Sequence, residues 1–143
     1  MDISIYLESI EIPEFDLEGL VHQRRIGNVL QIHTAKQGIP DLSHVDMAII
    51  GVNESRLSIN NFGTENAPDE VRKFLYRLYM VNPKMKVADL GNIKAGHDID
   101  DTYFALKTVA ASLLKKNIIP IIIGGSQDIT YANYLAYENM GQI

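Results

Sequence analysis

There is no cysteine among the 143 residues. Disulfides, thiolate catalysis and Cys-based zinc sites are thereby excluded, and a reducing, cytoplasmic setting is expected. No run of basic residues interrupts the formal net charge of −5. That balance argues against nucleic acid and anionic membrane as partners. No apolar run approaches the roughly 18 residues that span a bilayer. The opening stretch, MDISIYLESIEIPEF, carries acids and no basic n-region, so it does not read as a signal peptide. What remains is an ordinary globular composition, 46% hydrophobic and 22% charged, long enough for one domain with a real core.

The first 40 residues are weakly patterned. Ile3, Ile5 and Leu7 alternate, which suits a short strand. Residues 18–36 have patchy helical spacing broken by Gly27. From residue 44 the pattern sharpens. Met47–Ile50 is a compact apolar run closed by Gly51, the mark of a buried strand. Residues 53–66 form a long polar, Asn-rich loop, a length uncommon unless functional or disordered. A helix over 68–80 follows, with Pro68, Asp69 and Glu70 in its first turn. Its expected buried stripe is Val71, Phe74, Leu75 and Leu78, with Arg72, Lys73 and Arg77 off it.

MKVADLG reads as a second buried strand. A helix over about 100–116 comes next, capped by Asp98 or Asp100, with Tyr103, Leu106, Ala110, Leu113 and Leu114 as its stripe. Residues 118–123 form a third strand. A helix over 128–139 follows, terminated by Gly141. The order β-α-β-α-β-α implies a parallel sheet with right-handed crossovers.

The segment IIPIIIGGSQD concentrates the chemistry. It places Gly124, Gly125, Ser126, Gln127 and Asp128 at the carboxyl end of a buried parallel strand, where open α/β sheets bind ligands. A glycine pair before a helix exposes N–H groups to an anion. The segment lacks the spacing of either common nucleotide loop. A tight strand-to-helix turn, with Ser126 or Asp128 capping the helix, accounts for it better in local terms. His97 lies among Asp98, Asp100 and Asp101, which suits a metal site but suits a helix N-terminus better. His22, His33 and His44 have no ligand spacing and read as surface or satisfied core residues. Tyr131, Tyr134 and Tyr137 recur every three residues and read as a packing face.

Three segments in order resemble the ureohydrolases, the family of arginase, agmatinase and formimidoylglutamase. MAIIGVNES resembles the first sheet strand and its loop. NNFGTENAPDEVRKFLYRLY resembles the pattern N-x-G-x-x-x-x-P-x-x-I-R, closest to formimidoylglutamase in its Asn-rich loop. IIPIIIGGSQDIT resembles P-[apolar]-x-[apolar]-G-G-D-H-S-[apolar], and KVADLGNI resembles a strand carrying D-x-G-D. The resemblance covers residues 45–139. It implies a three-layer, doubly wound α/β fold, and a binuclear manganese centre whose hydroxide attacks an amidine or guanidine carbon. It also implies a small-molecule amidine or guanidine substrate, with Asn60 and Asn61 on the substrate-side loop.

The departures set the remaining expectations. Ser126 stands where the family has aspartate, and Gln127 where it has the first metal-ligating histidine. A neutral amide is a poorer ligand for such a metal than imidazole. Asp128 is one residue along, turned about 100° away on a helix. The family's later ligands lie beyond Ile143. The chain is therefore expected to be a single α/β domain over 1–143, with a poorly defined extension over 1–40. It reads as the N-terminal portion of a longer ureohydrolase-like protein with the sheet incomplete. It is expected to be inactive by itself and to hold no manganese. It is also expected to self-associate as a homo-oligomer near the strand 118–123 and helix 128–139. The alternatives are a pseudoenzyme of the same fold serving binding or assembly and, more distantly, a nucleotide-binding α/β domain.

Overall fold

The computed structural model describes residues 2–12 and 24–138. The apolar runs read from the sequence form β3 (Met47–Val52), β4 (Val87–Ile93) and β5 (Ile119–Gly124). β3 lies between the other two and is parallel to both. The helices α2 (Ala67–Leu75) and α3 (Ile99–Leu114) make the two crossovers, and α4 (Ile129–Leu135) follows β5. The chain steps from β3 to β4 on one side, then from β4 past β3 to β5 on the other. Crossovers of one hand therefore put α2 and α3 on opposite faces. The result is three layers with a parallel-dominated sheet.

Alternation along β3 divides its residues between the two faces. Ala48, Ile50 and Val52 join Ala88, Leu90 and Ile93 of β4 against Ala105, Leu106, Val109 and Leu113 of α3, with Ile129 and Ala132 of α4 in the same core. Each fully buried Val, Leu or Ile side chain here contributes about 1.5–3 kcal/mol. The opposite face is unlike this one. Gly51 points there, and a β-carbon on it would meet Arg72 Nη1 at 2.9 Å and Pro68 at 2.9 Å.

A bulge in β4 shapes that second face. Ile49 pairs with Asp89, but Gly51 pairs with Asn92, so β4 carries one extra residue between them. Gly91 absorbs the irregularity with φ of +78°, and a β-carbon there would lie 2.1 Å from the Glu8 carbonyl oxygen. In a regular strand, residues three apart face opposite sides. The bulge instead turns Asp89 and Asn92 to the same side, toward Arg72.

Arg72 is 1% exposed, and it fills that polar notch. Its Nε and Nη2 donate to the two carboxylate oxygens of Asp89, both at 2.9 Å. Nη1 donates to Asn92 Oδ1 at 2.6 Å, and Nη2 also to the Gly91 carbonyl at 2.9 Å. Tyr76 Oη donates to Asp89 Oδ2 at 2.8 Å. Burial, then the Asp89 charge, raise the Tyr76 phenol far above its ordinary range, so it stays a donor.

This network overturns the expected orientation of α2. Val71, Phe74 and Leu78 are 42%, 68% and 57% exposed, while Pro68, Arg72 and Tyr76 are buried. The sheet offers α2 a carboxylate, an amide and a bare glycine. The helix therefore turns its polar complement inward and Val71, Phe74 and Leu78 outward, while Leu75 of the expected stripe packs beside Tyr76. It also stops at Leu75, short of 80.

Other boundaries differ as well. Ser4–Tyr6 is a 3₁₀ turn, and only β1 (Leu7–Glu8) is extended, antiparallel to the end of β4. Within 18–36 only α1 (Ile26–Val29) is helical, and β2 (Gln31–Ile32) pairs parallel with the start of β4. Both N-terminal strands lie beside β4, so among the described residues nothing pairs the outer edge of β5. α3 begins and ends within two residues of expectation, with Asp98 as its N-cap in a capping box with Asp101. α4 ends at Leu135, and residue 139 and Gly141 lie outside the described residues. Tyr131 and Tyr134 are exposed rather than packed. Ile129, Ala132 and Ala136 supply the buried face. Among the described residues no helix is long and apolar enough to cross a membrane.

Candidate functional site

The loops after β3, β4 and β5 meet at the carboxyl end of the sheet, and Glu54 and Arg56 draw them together. The Glu54 side chain is 2% exposed. Its Oε1 accepts the backbone N–H groups of Ser55 and Arg56 at 3.0 and 2.9 Å. Arg56 donates Nε and Nη2 to the same carboxylate, the shorter contact being 2.6 Å. Hydrogen bonds from Arg56 outweigh burial and hold the Glu54 carboxyl below the ordinary range. The rest of the guanidinium donates to the carbonyls of His97 and Asp98 at 3.1 and 3.2 Å and to Thr102 Oγ1 at 3.0 Å. One arginine thus ties the β3 loop to the N-terminus of α3.

The β5 turn docks on the same loop through backbone. Gly125 N–H donates to the Val52 carbonyl at 3.1 Å, and Ser126 N–H to the Glu54 carbonyl at 2.9 Å. Ser126 Oγ donates to that carbonyl as well, at 3.1 Å, and the residue is buried. A β-carbon on Gly125 would lie 2.1 Å from the Glu54 oxygen and 2.8 Å from the Thr64 oxygen, so this close approach requires glycine. At Gly124 it would meet Ile129 Cδ1 at 1.8 Å.

The expected caps of α4 are not formed. Neither Ser126 nor Asp128 makes a side-chain cap bond. Ser126 is spent on Glu54, and Asp128 Oδ2 accepts the Tyr103 hydroxyl at 2.5 Å. Burial, then Asp128, raise the Tyr103 phenol above its ordinary range, so it stays a donor. Gln127 is exposed. Asn60 and Asn61 are also exposed. Asn60 adopts φ of +54°, which asparagine tolerates, and the Asn61 carbonyl accepts from Ser58 Oγ at 2.9 Å.

The histidines fall apart from one another. His97 is exposed and contributes its carbonyl to Arg56. His33 is buried, with Nδ1 at 3.0 Å from the Leu90 carbonyl, a satisfied core residue. His44 is exposed at the other end of the sheet, and His22 lies outside the described residues. The Glu54–Arg56 staple escaped the sequence reading. Its only sequence signal is an acid two residues before an arginine in a polar loop, which solvated loops share.

A doubly wound sheet with ligand-side loops at its carboxyl end defines the class of α/β domain. The arginase family model matches residues 45–142. The chain belongs to the arginase family. It is 35% identical over 83 residues to the formimidoylglutamase of Staphylococcus carnosus, covering 56% of this chain and 26% of that protein. The formimidoylglutamase structure from Bacillus subtilis superposes with a TM-score of 0.65 at 21% identity, over 93% of this chain and 42% of that one. An asparagine-to-histidine variant of the Trypanosoma cruzi formiminoglutamase, with Mn²⁺, superposes with a TM-score of 0.61 at 26% identity, over 67% of this chain and 36% of that one. The match thus covers about a quarter of the length of the curated relative.

Manganese accompanies the family in such structures, but the donor set described here does not fit it. At the turn, Ser126 and Asp128 are already bonded within the protein and Gln127 is a neutral amide. Among the described residues no three His, Cys, Asp or Glu side chains come together where they could hold a metal ion.

Proposed function

We propose that this chain is the N-terminal portion of an arginase-family hydrolase core, of the type that cleaves a C–N bond in a small linear amidine or guanidine. As the 143-residue chain it supplies the scaffold of that site without its catalytic metal chemistry. Residues 1–143 act as one α/β unit. The observation that supports this reading is the Glu54–Arg56 staple, which joins the loops after β3 and β4 and seats the Gly125–Ser126 turn. A ligand-side surface is thereby organised at the carboxyl end of the sheet, as the family's chemistry requires. Gln127 and Asp128 sit on its rim, and Asn60 and Asn61 on the neighbouring loop.

In this reading the outer edge of β5 and the outward stripe of α2 are covered by association, and the chain forms homo-oligomers. A free strand edge is a template for pairing, and contiguous apolar surface favours contact. The catalytic part of the reading is tested by formation of L-glutamate and formamide from N-formimidoyl-L-glutamate with added Mn²⁺. No turnover above the protein-free rate is expected from this chain. Saturable turnover that survives repurification would overturn it. A second reading, a non-catalytic protein of the same fold, is favoured by one residue, the exposed Gln127 at the family's histidine position.

A further inference from the structure

We propose that a cleft at the opposite, amino-terminal end of the sheet is a binding site for a small organic anion, a carboxylate or phosphate monoester on a short apolar tail. The cleft has a volume of about 300 Å³ and is reached by Gln31 at the start of β2 and Val87 at the start of β4. Because β2, β3 and β4 are parallel, it lies at the far end of the strands from Gly124 and Gly125. It is therefore separate from the surface described above, and the inference is independent of the amidine reading.

Four titratable side chains line it: Arg24, Lys86, His44 and Asp41. Asp41 is already committed. Its Oδ1 accepts both the hydroxyl and the N–H of Ser43, at 2.7 and 3.0 Å, and these bonds hold the carboxyl below its ordinary range. Arg24 and Lys86, like most of the described lysines and arginines, have no side-chain hydrogen bond or ion pair among the described residues, so both charges are available to a ligand. On a chain of formal charge −5, two cations against one carboxylate in the lining leave a local excess of positive charge, with Asp46 bonded to the Lys86 backbone N–H beside it.

The walls are apolar. Val45, Met80, Met85 and Val87 face the same space. Methionine side chains adapt to irregular ligands. Apolar walls with a few convergent charged groups are the usual composition of a small-molecule site. At roughly 30 Å³ of liquid volume per water, the cleft holds about ten water-sized groups. That admits a six-carbon chain with one anionic head, for which Arg24 and Lys86 supply the cations of the lining. A fork and a point charge together suit carboxylate or phosphate oxygens.

The test is a ¹⁵N–¹H titration of the whole chain with hexanoate and with hexyl phosphate, and with hexylammonium and 1-hexanol as controls. Saturable shifts at Val45 and Val87, with the Gly124 and Gly125 amides unmoved, are expected for either anion. The tighter of the two identifies the head group. The Arg24→Met/Lys86→Met double variant should weaken anion binding at least tenfold and leave hexanol unchanged. Both side chains lie at the surface, and an unchanged spectrum away from the cleft verifies the fold. If the variant does not fold, raised NaCl applied to the wild type must weaken the anions and not hexanol. No saturable shift, equal binding of hexylammonium, or insensitivity to both perturbations would overturn the proposal.

Discussion

Replacing Arg72 by methionine is the sharpest test of how this fold is held together. Methionine keeps the length and apolar stem of arginine but none of its donors. Arg72 and Asp89 have 1% and 0% exposed side chains, joined by two bonds of 2.9 Å. In the variant, Asp89 keeps only the Tyr76 hydroxyl and the Gly91 N–H as donors, and Asn92 Oδ1 loses its 2.6 Å bond. Removing one partner of a buried pair costs about 3–5 kcal/mol, because the other charge is left uncompensated. A domain has only about 5–15 kcal/mol in total, so the loss removes a large fraction. Urea unfolding followed by far-ultraviolet circular dichroism suits a chain with no tryptophan. The midpoint should fall steeply. Asp89→Asn in the same background should recover part of the loss by removing the stranded charge. Arg77→Met, at an exposed position of the next turn, should change stability by less than about 0.5 kcal/mol. If Arg72→Met is as mild as Arg77→Met, the buried network does not hold α2 in place.

Two further predictions concern the loops at the carboxyl end. Gly125→Ala places a β-carbon 2.1 Å from a backbone oxygen that cannot rotate away, and should destabilise by at least the 1–3 kcal/mol typical of overpacking. An unchanged melting temperature would contradict the packing described. The Glu54 carboxyl is held low in the folded chain. Its contribution to stability is therefore complete above the unfolded value near about 4.3 and is lost as pH falls through the lower folded value. Glu54→Gln should flatten the stability profile in that acid window, measured by chemical denaturation at a series of pH values. A profile parallel to wild type would refute the assignment.

The apolar runs of β3, β4 and β5 made the parallel sheet legible, since such runs have few other uses. β3 and β4 are buried along nearly their whole length, whereas β5, expected to be buried too, is an edge strand with Ile119 and Ile121 exposed. The glycine turn after β5 was legible for the same reason, as an abrupt end to such a run. The orientation of α2 was not. Periodicity assumes that the surface facing a helix is apolar. Here a bulge at Gly91 turns Asp89 and Asn92 onto one face, which helical spacing in α2 cannot reveal. The roles of Ser126 and Asp128 were hidden likewise. Each has a cap-forming side chain, and each bonds to a residue remote in sequence, Glu54 and Tyr103. The two-residue strands β1 and β2 carry too few positions for any period to register.

The central claim is that these residues organise the family's ligand-side scaffold without assembling its metal centre. The most direct measurement is manganese content by elemental analysis after dialysis of the purified chain against Mn²⁺ and then against metal-free buffer. Less than stoichiometric metal is expected, for wild type and equally for Gln127→His, since one added imidazole does not make a ligand set. One or two retained ions per wild-type chain would contradict it.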